Sequence, residues 1–261
     1  MSWLIVTALI VSGLLVGFIN TLAGGGTIIS LSLLMFLGLP PTVANGTNRV
    51  AVVIQNFVAV GSFRHQKVLD TRKGIKMGIP TVIGSILGAQ IAVSLNDRFI
   101  QYAIGSAMLV MLFFILFKPA YLTQSKEELI SKPLKKWQYF LFFLIGIYGG
   151  FIHVGVGYFI IAGVMLGAGY NVLKANAIKN LIVLMYAPFT LIVFMISGMV
   201  DYRYGLIHAI GNVGGAILAA KYAVNWGIQF VRWAMVCIIL VTVMQMFGII
   251  DFKDVFRMLL T

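Results

Sequence analysis

Apolar runs recur along the whole chain, near 3–22, 27–39, 50–63, 77–95, 99–117, 138–152, 158–168, 181–199, 205–225 and 232–250. Several reach the roughly 20 residues that a helix needs to cross a hydrocarbon core of about 30 Å, whereas 27–39 and 158–168 fall short. The spaces between the runs hold too little polar sequence to coat a water-soluble globule: of 261 residues, 61% are hydrophobic and 10% charged, with a mean hydropathy of +1.01. The pattern predicts an all-α, polytopic transmembrane bundle with lipid as its solvent. No basic region precedes the first run and no small-residue cleavage site with a soluble domain follows it, so it reads as a retained span. The single cysteine, Cys237, sits inside an apolar run, has no intrachain partner for a disulfide, and reads as a small core residue.

A net charge of +12 raises the question of nucleic acid. The placement of the charge answers it, because the basic residues gather in short loops between apolar segments, as the positive-inside rule describes. One cluster is Arg64, Lys67, Arg72, Lys73 and Lys76; another is Lys118, Lys126, Lys132, Lys135 and Lys136. Both belong on the cytoplasmic side, against anionic lipid. The expected partners are therefore the lipid bilayer and a small solute, with no nucleic acid.

The sequence aligns with itself. At an offset of 131, Ala44-Asn45 meets Ala175-Asn176, Asp70-x-Arg72-x-Gly74 meets Asp201-x-Arg203-x-Gly205, and Gly26, Gly38, Gly84 and Phe99 meet Gly157, Gly169, Gly215 and Phe230. At 133, Gly13-x-x-x-Gly17-Phe-Ile meets Gly146-x-x-x-Gly150-Phe-Ile. Shared hydrophobicity does not generate polar matches, so the chain reads as two homologous repeats, 1–117 and 138–261, joined by a cytoplasmic linker at 118–137. If 27–39 and 158–168 are return limbs of broken hairpins, each repeat has five apolar segments and the repeats are inverted. The Asp70 loop is rich in Lys and Arg and the Asp201 loop has only Arg203, as inversion requires. Summed over all loops, a parallel arrangement scores almost as well, and inversion is the expectation adopted.

Each repeat breaks early. Ala23-Gly24-Gly25-Gly26-Thr27 interrupts the first helix, since each glycine costs a helix interior about 1 kcal/mol relative to alanine. His153-Val-Gly155-Val-Gly157-Tyr158 stands at the corresponding place in the second repeat. Lipid does not satisfy unpaired backbone groups, so such breaks belong where they are buried in protein or line a wet cavity. New limbs starting at Gly26-Thr27 and Gly157-Tyr158 would point N-terminal N–H groups and partial positive charge at a bound anion. The isolated pairs Gly13/Gly17, Gly74/Gly78 and Gly211/Gly215 read instead as helix-crossing contacts.

Past each short limb comes a polar cluster, Asn45-Gly46-Thr47-Asn48-Arg49 and Asn176-Ala-Ile-Lys179-Asn180. Asn45 or Thr47 as the cap of the next helix is one reading. Capping leaves the recurring cation unexplained, and a guanidinium or ammonium beside amide donors suits an oxyanion such as sulfite, sulfonate or carboxylate; snorkelling to the interface is the competing role. Asn20, Gln55, Asn56, Gln90, Asn212, Lys221 and Gln245 read as hydrogen-bonding residues between helices. His153, beside a break, is a candidate proton carrier, with a neutral packed histidine as the alternative. Asp70 and Asp201 read as helix caps with local ion pairs and no transport role.

The stretch Gly17-Phe-Ile-Asn-Thr-Leu-Ala-Gly-Gly-Gly-Thr27 followed by Gly38-Leu-Pro-Pro-Thr-Val-Ala-Asn-Gly-Thr-Asn-Arg49, with Gly146-Ile-Tyr-Gly-Gly-Phe151 and Ala175-Asn176, resembles the TauE/SafE sulfite exporter family. The resemblance covers nearly the full length. It implies a multi-pass permease of the inner membrane with duplicated halves, moving sulfite, an organosulfonate or a related sulfur-containing anion, with Gly24–Gly26 and Gly46–Arg49 along the pathway. The second copy departs from that pattern at His153, Val156, Tyr158, Lys179 and Asn180. The expected substrate site joins both breaks and both clusters: Asn20, Gly24, Gly25, Gly26, Thr27, Asn45, Thr47, Asn48, Arg49, His153, Gly155, Gly157, Tyr158, Asn176, Lys179 and Asn180. No cofactor, metal or catalytic group is expected, because the three histidines, one cysteine and seven acidic residues are scattered. The alternatives are a carrier of a cation or neutral solute, and a structural membrane protein. A cation site would recruit Asp or Glu at depth, and no apolar run has one in its core. Both a monomer and a homo-oligomer fit the sequence.

Overall fold

The structure, a computed structural model, describes residues 1–22, 24–117, 129–130, 132–222, 236 and 239–244. Among these residues the chain is helical, with α1 at Trp3–Leu22, α2 at Thr27–Phe36, α3 at Pro41–His65, α4 at Thr71–Ser94, α5 at Asp97–Phe117, α6 at Lys136–Phe151, α7 at Val156–Ala168, α8 at Val172–Ile196 and α9 at Tyr202–Tyr222. Lys118, Lys126 and most of the remaining linker, Phe230, Cys237, Gln245 and the side chain of Lys221 lie outside the described residues. By length and composition α1, α4 and α8 are each able to cross a membrane. On α4 the residues Ile75, Ile79, Ile83, Leu87 and Ile91 form an exposed apolar stripe at a spacing of four, 42–55% accessible, as a lipid-facing helix has.

Local chemistry sets the helix starts. Asp70 accepts from the backbone N–H of Lys73 at 3.0 Å to cap α4, and Asp201 accepts from Arg203 and Tyr204 at 3.0 and 3.2 Å to cap α9. Asn171 caps α8 through the N–H of Lys174 at 3.0 Å. α3 opens with Pro40 and Pro41, the second pre-set at a helical φ. The capping role considered for Asn45 and Thr47 is therefore corrected: both lie inside α3, and the neighbouring prolines start the helix. Asn176 is likewise inside α8. The second limb begins at Val156, slightly earlier than the Gly157-Tyr158 start expected, because Gly155 takes the left-handed conformation (φ 64°) and ends the turn there.

Contacts along the helices give their directions. α1 and α2 form a hairpin: Gly26 lies against Val16 and Asn20, and Ser30 and Ser12 meet at the same imidazole, that of His208. α6 and α7 do the same, Gly149 facing Val156, Gly163 facing Phe142, and Gly167 facing Gln138. α1 runs parallel to α9, with Gly13 and Gly17 on the backbone of 208–212, and Gly211 and Gly215 on that of 10–18. α4 runs parallel to α6, with Gly84 on Phe143 and Ile147, Gly88 on Ile147 and Phe151, Gly146 on Thr81, and Gly150 on Ser85. These glycine crossings bring helix backbones together where no Cβ would fit. Central α3 and α8 are antiparallel: Gly46 meets Phe194, Arg49 meets Thr190, and Ala59 and Phe63 pack with Ala177.

Candidate functional site

The two breaks touch. Gly24, at φ +83°, lies so close to Gly157 that a Cβ on either would fall 2.6 Å from the other's Cα. Only glycine permits both the left-handed backbone and the approach. Tyr158 lies over Gly25, and Gly26 backs onto Val16 and Asn20. Thr27 is buried as the first residue of α2.

Each break ends a helix whose last carbonyls are claimed by the central helix of the other half. Asn45 donates to the Phe151 carbonyl at 2.7 Å, and Arg49 donates to the carbonyls of Gly149 (3.3 Å) and Gly150 (2.6 Å), to Thr190 Oγ1 (2.8 Å) and to Asn45 Oδ1 (3.3 Å). Its guanidinium also stands 4.6 Å from the centre of the Phe194 ring. In mirror fashion Asn176 donates to the Thr21 carbonyl and Lys179 to that of Asn20, while Asn180 reaches Thr21 at 3.5 Å. Cations and amide donors at helix C-termini satisfy orphan carbonyls and oppose the negative end of the dipole. Both cations are buried within protein, so neither snorkels to an interface.

The two clasps differ in one respect. A cavity of about 20 Å³ is lined by Asn20, Gly24, Val52, Gln55, Asn56, His153, Val156, Gly157, Lys179 and Val183. Lys179 is in its wall; Arg49 is not, its two terminal nitrogens being bonded to α6, to Thr190 of α8 and to Asn45, with Nε left unpaired. The ammonium has no buried carboxylate to answer it, because among the described residues no Asp or Glu is buried. Opposite stands His153, in the left-handed region at φ 65°, with Nδ1 2.8 Å from the Tyr186 hydroxyl. A non-glycine residue there stores backbone strain, as residues at functional sites do.

Of the site residues expected from sequence, the cavity brings together Asn20, Gly24, His153, Gly157 and Lys179. Gly25, Gly26, Thr27, Gly155 and Tyr158 shape the breaks around it. Asn45, Arg49, Asn176 and Asn180 hold the helix ends. Thr47 faces elsewhere, accepting from the N–H of Asp201 at 2.9 Å, and the buried amide of Asn48 has no protein partner. Gln55 and Asn56, expected to bond between helices, line the cavity, and Asn56 instead donates to the Val52 carbonyl of its own helix at 2.8 Å. Gln55 does bridge helices, accepting from Asn20 and donating to Thr21 at 3.5 and 3.3 Å. Their position two turns beyond Thr47-Asn48 on the same helix was the available signal.

The family described as Sulfite exporter TauE/SafE matches residues 9–246. Among curated relatives, a "Probable membrane transporter protein ORF9" from Sinorhizobium sp is 25% identical over 86% of this chain and 85% of its own. A "Probable membrane transporter protein" from Haemophilus influenzae is 25% identical over 84% and 86%, and "Probable membrane transporter protein YunE" from Bacillus subtilis is 25% identical over 85% and 89%. No solved structure matches the chain.

Proposed function

Since the chain belongs to the TauE/SafE sulfite exporter family and is a membrane transporter, we propose that it carries a small oxyanion, a sulfite or organosulfonate, through the cavity between its two helix breaks. The observation that carries this reading is the ammonium of Lys179, buried in the cavity wall and, among the described residues, with only the Asn20 carbonyl as its hydrogen-bond partner and no buried acid to answer it. An unpaired buried cation is costly, and an oxyanion would neutralise it while Gln55, Asn56 and Asn20 donate from their amides. Val52 and Val183 close the apolar sides.

The cavity in this conformation has room for about one water molecule. A polyatomic anion therefore enters only when the walls part, which is the behaviour of a carrier rather than an open pore. Two inverted repeats, 1–117 and 138–261, supply the means. Supporting inversion, α3 and α8 align at an offset of 131 and run in opposite directions, while α1 is parallel to α9 and α4 to α6. Alternating access then consists of rocking about the touching glycines. The protein sits as a multi-pass chain in the inner membrane with the Asp70 loop and the 118–137 linker at the cytoplasm.

Melting of the purified protein, scanned against sulfite, sulfoacetate, taurine, sulfate, acetate and chloride, tests the proposal. A ligand at 100 times its dissociation constant adds about 2.7 kcal/mol. Stabilisation by a sulfur oxyanion that disappears in Lys179→Ala is expected. Stabilisation by an amine or metal cation in its place would overturn it.

A further inference from the structure

The α1–α2 hairpin is fastened to α9 by an imidazole that plays no part in the anion cavity. His208 is 1% exposed. Its Nδ1 lies 3.0 Å from the Leu9 carbonyl oxygen, which only accepts, so Nδ1 bears the hydrogen. Nε2 then holds the lone pair and accepts from the Ser30 hydroxyl at 2.8 Å. Ser12 stands 3.4 Å from Nδ1. The network fixes the ring as one neutral tautomer, with a donor turned to α1 and an acceptor turned to α2. Ser30 is one turn past the Gly24–Gly26 break, and its own backbone N–H goes to the Gly26 carbonyl at 3.4 Å.

At the corresponding positions the other half of the molecule packs without polar side chains. The positions 131 or 133 residues away from His208, Ser30 and Ser12 are Met77, Ile161 and Ile145, and all three belong to one buried apolar cluster. A hairpin seated on its partner helix thus has no structural need of a histidine. Nor, among the described residues, does any acid face it. α1, α2 and residues 239–244 contain no ionisable side chain. On α3 the charged or titratable groups are Arg49, tied to α6, and Arg64 and His65, exposed at the far end. On α9 Tyr204 is one turn away and Asp201 and Arg203 precede it.

We propose that His208 is a proton-binding site that couples proton occupancy to release of the α2 limb, and through it to the break beside the anion cavity. A proton from water adds to the Nε2 lone pair. The ring then has two donors and no acceptor, so the bond to Ser30 reverses, Nε2–H donating to Oγ, and the hydroxyl turns its own hydrogen elsewhere; the Gly26 carbonyl, four residues back on the helix, is within reach of such a turn. An imidazolium facing no carboxylate is unfavourable while the limb is seated, so the proton binds preferentially where α2 has withdrawn and water reaches the ring. That difference in affinity shifts the population toward the released limb. The link to anion movement rests on the anion-carrier reading above; the proton site itself does not.

Hydrogen–deuterium exchange across α2, measured on the full-length purified protein from pH 5 to 8, tests this. The readout is the ratio of wild type to His208→Gln at each pH, which cancels the intrinsic exchange rate; Gln retains one donor and one acceptor but does not titrate. The ratio is expected to rise on acidification, by up to about tenfold per pH unit for a single coupled proton. A ratio constant across the range overturns the proposal. In Ser30→Ala the seated imidazolium has no Oγ to donate to, so its proton affinity falls further below that of the released ring and a larger acid-induced loosening of α2 is expected; a profile identical to wild type likewise overturns it. Melting with methanesulfonate, whose charge does not change over this range, is followed in parallel. No stabilisation with a His208-dependent α2 profile leaves the proton site standing and removes the anion reading; stabilisation with a His208-independent profile does the reverse.

Discussion

Gly24 and Gly157 rest backbone on backbone, each filling the space where the other's side chain would be. The contact joins the two helix breaks directly, so movement of one limb is felt by the other without an intervening side chain. Interiors that are close-packed shift between discrete arrangements rather than deforming smoothly.

Alanine at Gly24 meets both a left-handed φ of +83° and a Cβ 2.6 Å from Gly157 Cα. Backbone strain of this kind costs on the order of 1–3 kcal/mol, before any overpacking. Gly157→Ala meets the approach alone, its φ being unexceptional. Both variants are expected to melt below wild type, with Gly24→Ala the lower. Equal melting temperatures would show that the left-handed turn relaxes freely.

The two cations separate stability from binding. Arg49 makes four hydrogen bonds and a ring contact and lies off the cavity, so Arg49→Ala leaves the Gly149 and Gly150 carbonyls and the Thr190 hydroxyl without their donor. Loss of about 3–5 kcal/mol is expected, by analogy with breaking a buried pair, read as a large fall in melting temperature or failure to purify. Lys179→Ala frees a single carbonyl. A smaller fall is expected, about 1–3 kcal/mol, together with complete loss of anion-dependent stabilisation. A Lys179→Ala protein still stabilised by the same anion would remove the ammonium from the site.

Three glycines in a row made the first break legible from sequence, and the limb after it begins at Thr27 as read. The duplicated polar clusters also marked where the centre lies. What the sequence did not disclose was the partner of each cation: position 49 on a helix says which way a side chain leaves, and only packing against α6 decides that it meets carbonyls instead of solute. The same limit hid Gln55 and Asn56, whose face becomes a cavity wall once α8 and the break after α6 close over it. His208 and its two serines went unread for a simpler reason. They come from three helices with sequence separations of up to 196 residues, and nothing local ties them together.

The His153–Tyr186 bond holds the second break from the α8 side. Tyr186→Phe removes the hydroxyl and keeps the ring, so the cost is that of one hydrogen bond, about 0.5–1.5 kcal/mol. His153, in its left-handed conformation, then loses its anchor, and weaker anion stabilisation is expected along with the modest loss of stability. Unchanged anion stabilisation in Tyr186→Phe would confine this bond to a structural role.

At the start of α4 the Asp70 carboxyl caps the helix and accepts from the Tyr170 hydroxyl at 2.5 Å, while the Lys73 ammonium reaches the carbonyls of Leu129 and Ile130. Burial opposes ionisation of Asp70, but the backbone N–H of Lys73, the Tyr170 hydroxyl and the nearby Lys73 charge outweigh it and hold the carboxyl below its ordinary range. The sign follows from linkage: a depressed folded-state pKa contributes stability that is fully present above the unfolded value of about 3.9 and is lost as pH falls through the folded one. Melting temperature is therefore expected to drop below about pH 4, with Asp70→Ala less stable by about 1 kcal/mol at neutral pH, the usual worth of an N-cap. Tyr170→Phe removes one of the donors that depress the carboxyl, so its acid limb is expected at higher pH than that of wild type. Coincident acid limbs for wild type, Asp70→Ala and Tyr170→Phe would assign the acid sensitivity to another carboxylate.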